Sequence, residues 1–256
     1  MNTLLGFCED YKRVVINARH ELILIRARND PNALRSWSDN VKPVLNLHKI
    51  QWRMPHVALD EIHKLSMLRI LESERSISMS FRSWELYEYP MLQTTTKHTW
   101  TIKTAPQMEK PRYVIFALQT ESKNDLKKNA TQFDSCFLSN IRLYLNSEMY
   151  PYDDLNIDFE KDNYALLYDM YAKFQESYYG NDGEVLLNTI DFLLYGPFVV
   201  IDCSRQNEAL KNATTDVRIE FECRKDVLPS TAAYCLIIHD CIVEYNPLTS
   251  IVRKII

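Results

Sequence analysis

The side chains in this sequence with the most reactive potential are six histidines and six cysteines. The histidines are His20, His48, His56, His63, His98 and His239. A metal centre on a β-scaffold requires imidazoles and carboxylates at clustered, repeating spacings. These six are scattered, which predicts packing and surface histidines. The cysteines are Cys8, Cys136, Cys203, Cys223, Cys235 and Cys241. None forms a C-x-x-C pair and most stand inside apolar runs, so they read as reduced, buried thiols of an intracellular protein. Asp202-Cys203-Ser204 and His239-Asp240-Cys241 place thiol, imidazole and carboxylate close in sequence. Neither carries the glycines of a nucleophile elbow, and buried structural thiols are the expectation. Asp153, Asp154, Asp158 and Glu160 lack the D-x-D-x-D-G order of a Ca²⁺ loop and read as a solvated turn. The only glycines are Gly6, Gly180, Gly183 and Gly196, and they make neither a G-x-G-x-x-G nor a P-loop. Residue chemistry therefore points to no catalyst, no metal and no cofactor.

Other function classes are narrowed by charge and hydropathy. The net charge is −4, so the chain as a whole shows no electrostatic footprint for nucleic acid. Lys123, Lys127 and Lys128 are too few to line a nucleic-acid groove. No apolar run approaches the roughly 20 residues of a membrane span. The first ten residues include Glu9 and Asp10 and no basic n-region, unlike a secretory signal. The sequons Asn129-Ala130-Thr131 and Asn212-Ala213-Thr214 are then read as chance.

The elements that would have to position any site are mostly strands. Residues 11–26 have an apolar centre at 22–25 and fit a strand covered on both faces, or a short buried helix. Residues 44–54 alternate at Ile50, Trp52 and Met54, and Pro55 ends them. Asp60 can cap a helix carrying Ile62, Leu65, Leu68 and Leu71. From Ser76 the strand signal sharpens. Ile77, Met79 and Phe81 share a face, and Trp84 and Leu86 continue on the opposite phase, as a bulge near Arg82-Ser83 would produce. Strands follow around Trp100 and Ile102, over 113–118, 141–145, 155–159, 198–203, 217–223 and 234–238, and after Asn246-Pro247. The run 113–118 is apolar on both faces and should be central. Eight or nine strands after residue 76, with one inserted helix, predict an all-β jelly-roll sandwich.

The inserted helix is the most distinctive local feature. Tyr164, Leu167, Tyr168, Tyr171, Phe174 and Tyr178 fall three or four apart. This spacing gives one aromatic stripe between a cap at Asp162 or Asn163 and a stop at Gly180; the loop is expected to run on to Gly183. Tyr164, Tyr168, Tyr171, Phe174 and Tyr178 are the candidate subunit-interface residues, because aromatic, charge-poor surface suits interface cores. A cofactor role for the stripe is less natural than packing.

Several strings, in order, resemble one family: LLGFCEDYKRVVINARHELILIRARND, FRSWELYEYPMLQTTTKHTWTIKT, EKPRYVIFALQT, LYLNSEMYPYDDLNIDF, YALLYDMYAKFQESYYG, VVIDCSRQNEALK and AAYCLIIHD. They are similar to the major capsid protein of Maverick/Polinton-type elements and adintoviruses. The resemblance implies a β-protein of the double jelly-roll lineage shared with adenovirus-type hexons. It further implies homotrimers of pseudo-hexagonal outline, a capsid lattice with other capsid proteins as partners, location in the virion, and no catalytic residues. Two full jelly rolls need a longer chain. Set against the family, residues 1–75 correspond to the end of a first roll with a linker helix, and residues 76–256 to the second roll. The chain thus reads as a capsid subunit or an endogenous, domesticated remnant of one. The alternative is a host-repurposed jelly-roll module binding a carbohydrate or a protein, and a jelly-roll enzyme is the third reading.

Overall fold

The computed structural model describes residues 5–38, 43–73, 75–102, 111–146, 148–180, 185–205 and 216–255. The Asn212-Ala213-Thr214 sequon and the loop 181–183 lie outside them. Four helices are α1 (Gly6–Asp10), α2 (Glu61–Glu72), α3 (Ala165–Tyr179) and α4 (Thr189–Tyr195). The strands are β1 (Ile77–Tyr89), β2 (Lys97–Ile102), β3 (Pro111–Thr120), β4 (Leu138–Leu145), β5 (Glu148–Tyr150), β6 (Val199–Asp202), β7 (Val217–Cys223), β8 (Thr231–Asn246) and β9 (Ile251–Ile255).

The strand order encodes the fold. One sheet runs β1-β8-β3-β6, with β9 paired to β8, and the other runs β2-β7-β4-β5. Within each sheet β1 neighbours β8, β2 neighbours β7, β3 neighbours β6 and β4 neighbours β5. That is one long hairpin folded at the β4–β5 turn. The pairings of β8 with β3 and β7 with β4 then wrap it into two layers. Eight strands in this order are a complete jelly roll, the all-β sandwich expected from the alternating pattern.

Two sheets pack face to face because each has one apolar side. In β7, Val217, Ile219, Phe221 and Cys223 are buried and Arg218 points out. In β4, Ile141, Leu143 and Leu145 have no accessible surface. Phe116 of β3 meets Phe221 of β7 with ring centroids 4.9 Å apart, which closes the sandwich across the sheets. β3 is buried on nearly its whole length, as its doubly apolar sequence predicts. One face meets the opposing sheet, and α3 covers the other: Tyr113 packs edge-on against Phe174 at 4.9 Å.

By compactness the chain divides into two units, Met1–Arg28 with Val44–Ser83 and Asp240–Ile256, and Asn29–Pro43 with Trp84–His239. The second holds the sandwich core. In the first, Arg82 donates through backbone N–H and guanidinium to the Asp10 carboxylate. Phe7 lies edge-on to Phe81 at 5.2 Å, and the Tyr245 hydroxyl donates to the Asn17 carbonyl at 2.7 Å.

Several local expectations change. The expected strands at 11–26 and 44–54 are absent: among the described residues, 11–59 contain neither helix nor strand. Apolar alternation makes a strand only when a neighbouring ladder is there to pair with it. α2 forms as expected, with the Asp60 carboxylate accepting from the His63 N–H at 2.9 Å, but it buries none of its residues. In β1, Trp84 packs on the core as expected, whereas Leu86 points out and Tyr87 and Tyr89 point in. Residues 155–159 are not a strand. Leu155 and Ile157 are nonetheless buried, and the Ile157 N–H donates to Ser139 at 2.8 Å before a 3-10 turn at Phe159–Lys161. With the Leu155 N–H donating to Asn140 Oδ1 at 3.1 Å and the Arg224 guanidinium donating to the Ile157 carbonyl, separate pinning bonds replace the ladder. α4 was not expected from the sequence, although Asn188 caps it by accepting from Asp191 N–H and Gly196 follows it.

Candidate assembly surface

α3 and α4 are inserted between β5 and β6, on the outside of the sandwich. α3 keeps helical spacing until Gly180, whose left-handed backbone (φ 66°) accepts the helix C-terminus without Cβ strain. Its stripe turns inward. Tyr171 is buried and stacks on Phe192 of α4 at 5.4 Å, with Phe198 edge-on at 5.3 Å. Tyr168 meets Phe192 at 5.7 Å, and Phe174 lies against Tyr178 at 5.2 Å. Polar ends are satisfied as well. The Leu187 N–H donates to the Tyr171 hydroxyl at 3.0 Å, the Tyr168 hydroxyl donates to the Leu187 carbonyl at 3.2 Å, and the Leu186 N–H donates to Gln175 Oε1 at 2.9 Å. Burial raises the Tyr171 phenol above its ordinary range, so it stays protonated.

Of the five candidate interface residues, Tyr171 is therefore core, and Tyr164, Tyr168, Phe174 and Tyr178 are half-buried against the chain's own core. The sequence did not point to Phe192, and it placed Phe198 only as the first residue of the expected strand 198–203; the two rings complete the cluster. The signal available was the apolar run TIDFLLY between Asn188 and Gly196. With the stripe turned in, the outer side of the insertion presents Leu166, Tyr179, Leu186, Ile190, Leu194 and Tyr195, all exposed.

None of the sequence-level chemical candidates converges. β3 separates β6 from β8, with Tyr113 facing Asp202 on one side and Ile238 on the other. The backbones around Cys203 and His239 are thus two strand spacings apart, about 10 Å, with β3 between them. Cys203, Cys223, Cys235 and Cys241 are buried. Burial pushes the Cys223 thiol up to about 12 and Cys136 up to about 11. Such thiols hold almost no thiolate at neutral pH. His98 stacks on Phe221 at 4.7 Å, a packing role. Among the described residues no three His, Cys, Asp or Glu side chains gather as a metal site.

The acidic turn is consumed locally. Asp154 accepts from Asn140 and Arg142, which hold its carboxyl below the usual range, Asp158 lies 3.4 Å from Arg224, and Glu160 pairs with Lys225. Lys123 and Lys128 pair with Glu88 and Glu121. A shallow recess on the outer face of β2-β7-β4 is lined by Lys97, Thr99, Asn140, Arg142, Glu220 and Glu222. Lys97–Glu222 at 3.3 Å and Arg142–Asp154 at 2.6 Å already pair its charges.

Among solved structures, the chain is similar to one in the cryo-EM structure of the Sputnik virophage, with 11% identity over 71% of this chain and 39% of that one, TM-score 0.41. It is also similar to the mavirus major capsid protein in a crystal structure, with 8% identity over 70% of this chain and 41% of that one, TM-score 0.37. The chain thus spans about two-fifths of the length of each. None of the curated proteins matches it. No helix among the described residues is long and apolar enough to cross a membrane. The family model for the double jelly roll-like domain matches residues 1–243, and the chain belongs to that family.

Proposed function

We propose that this chain is a structural capsid subunit, or an endogenous remnant of one, that acts by touching copies of itself. The observation carrying this reading is the match of residues 1–243 to the double jelly roll-like family. The eight strands rolled between Ile77 and Asn246 support it. In this reading residues 76–256 are the second roll of a hexon-like protein of the Maverick/Polinton and adintovirus lineage. Residues 1–75 are the end of the first roll with its linker helix. The subunits associate as homotrimers with pseudo-hexagonal outline and tile a virion shell. α3 and its flanking loops form the inter-subunit surface. Tyr164, Tyr168, Tyr171, Phe174 and Tyr178 serve it by fixing that helix to the core, and the half-buried four contribute their exposed edges.

The test is mass photometry and negative-stain microscopy of the full chain. Trimers, rings or shells are expected. A monomer that retains one particular glycan or host protein would overturn the reading in favour of a repurposed binding module.

A further inference from the structure

Charge and exposed apolar surface are segregated along this chain in a complementary way. Within the first compact unit, residues 11–28 and 44–59 carry seven Lys or Arg against one Glu, a net of +6. Within the second, residues 165–195, the span of α3 and α4, carry five Asp or Glu against one Lys, a net of −4. A chain of net charge −4 therefore holds two strongly opposed regions.

Both regions also expose apolar side chains. In the basic segments Ile23 is 75% exposed and Ile25 91%, without helix or strand. In the acidic insertion Leu186 is 78% exposed and Ile190 66%, one turn from Leu194 on α4. Asp169 and Glu176 stand among them on the exposed side of α3. A surface solvated for its own sake does not combine large aliphatic groups with charge of one sign. An interface does: the aliphatic groups supply burial, and opposite fields steer the encounter and fix register.

We infer that the basic segments of one copy dock on the acidic, apolar outer side of α3 and α4 of a second copy. This inference rests on the self-assembly reading and names its contact. Extended segments suit the role, because backbone outside a ladder can bond to a neighbour's edge. Nucleic acid is the other partner that a basic segment could take. The Ile and Leu side chains between the Arg residues argue against it, since a phosphate backbone offers them no apolar surface to bury.

A charge swap tests this on the full chain. Variant one is Arg13→Glu with Arg19→Glu and Arg28→Glu, and variant two is Asp169→Lys with Glu176→Lys. All five positions are exposed, and unchanged circular dichroism and Tm would certify folding. Sedimentation velocity of the wild type should show self-association that weakens between about 50 mM and about 0.5 M salt. Each variant alone should associate at least about tenfold more weakly, and an equimolar mixture of the two should recover most of the loss. Association unchanged in both variants overturns the docking while leaving the shell-subunit reading standing. A wild type that remains monomeric overturns both. A wild type whose fluorescence anisotropy shows tight binding to a duplex of about 30 base pairs, lost in variant one with self-association intact, assigns the basic segments to nucleic acid instead.

Discussion

Replacing Phe192 by Ala should separate the two roles that an aromatic insertion can have, support of the fold and contact with a partner. Phe192 has no accessible surface, and its ring touches those of Tyr168, Tyr171 and Phe198 at centroid distances of 5.7, 5.4 and 5.4 Å. Truncation removes the transfer free energy of a whole ring and opens a cavity that three neighbouring rings cannot collapse into. The expected cost is about 3–5 kcal/mol. With a urea slope of about 3 kcal/mol/M, the unfolding midpoint should fall by about 1–2 M. Trp100, buried in the sandwich, reports the transition by its emission shift. Leu194→Ala, on the exposed side of the same helix, is the control and should stay within about 0.5 kcal/mol. Tyr171→Phe keeps the ring and removes the acceptor of the Leu187 N–H, which should cost about 1 kcal/mol. A Phe192→Ala midpoint within about 0.3 M of wild type, or a Leu194→Ala loss of equal size, would refute the inward-packed insertion.

Three further outcomes follow from local geometry. Gly196→Ala should destabilise by about 1–3 kcal/mol in the same assay, because its Cβ would lie 2.8 Å from the Phe198 ring, itself held by Tyr171 and Phe192. Asp10, hydrogen-bonded by Arg82, has its carboxyl pKa held below the usual range. The stabilisation is present above the unfolded value of about 3.9 and is lost as pH falls through the folded one. Asp10→Asn should flatten that part of the stability–pH curve and cost about 1–3 kcal/mol at neutral pH. The Cys136 thiol, pushed up to about 11 by burial, should react with a disulfide reagent at pH 8 about two orders of magnitude more slowly than in denaturant. Mass mapping of the labelled cysteines would check this.

How much of the fold could be read in advance depended on whether a segment's partners lie within the chain. Residues 217–223 alternate in sequence and form β7 over that same span, because β2 and β4 flank it and bury one face. Residues 113–118 read as buried on both faces and are so, since a sheet covers one side and α3 the other. The α3 stripe was legible as periodicity, but periodicity gives a face and not its neighbour. Only the structure shows that Phe192 and Phe198 receive it. Residues 155–159 misled in the opposite way. Burial of Leu155 and Ile157 imitates strand alternation, while separate bonds to Ser139, Asn140 and Arg224 pin the backbone. At the chemical level, cysteines in apolar runs were legible as buried thiols, and Cys203, Cys223, Cys235 and Cys241 are buried, because burial leaves a compositional trace in the neighbouring residues.

The failure at residues 11–59 carries the most information. Ile23, Leu24, Ile25, Ile50 and Trp52 are the side chains of strands that bury a face, yet here they are exposed on irregular backbone. Pattern without pairing means that the sequence is written for a surface it does not meet among the described residues. Hydrophobic burial and backbone pairing are both supplied by neighbours, so a segment with strand periodicity and no ladder specifies a neighbour as definitely as β7 specifies β2 and β4. In a family defined by two rolls, with one roll complete between Ile77 and Asn246, that neighbour lies outside this roll. The net +6 of the two segments and the net −4 of the insertion give it a sign. Protection from hydrogen exchange over residues 21–25 should therefore appear only as the chain associates, rising with concentration and falling with salt. Protection already complete at the lowest concentration, in a monomer, would mean that these residues find their partners at home.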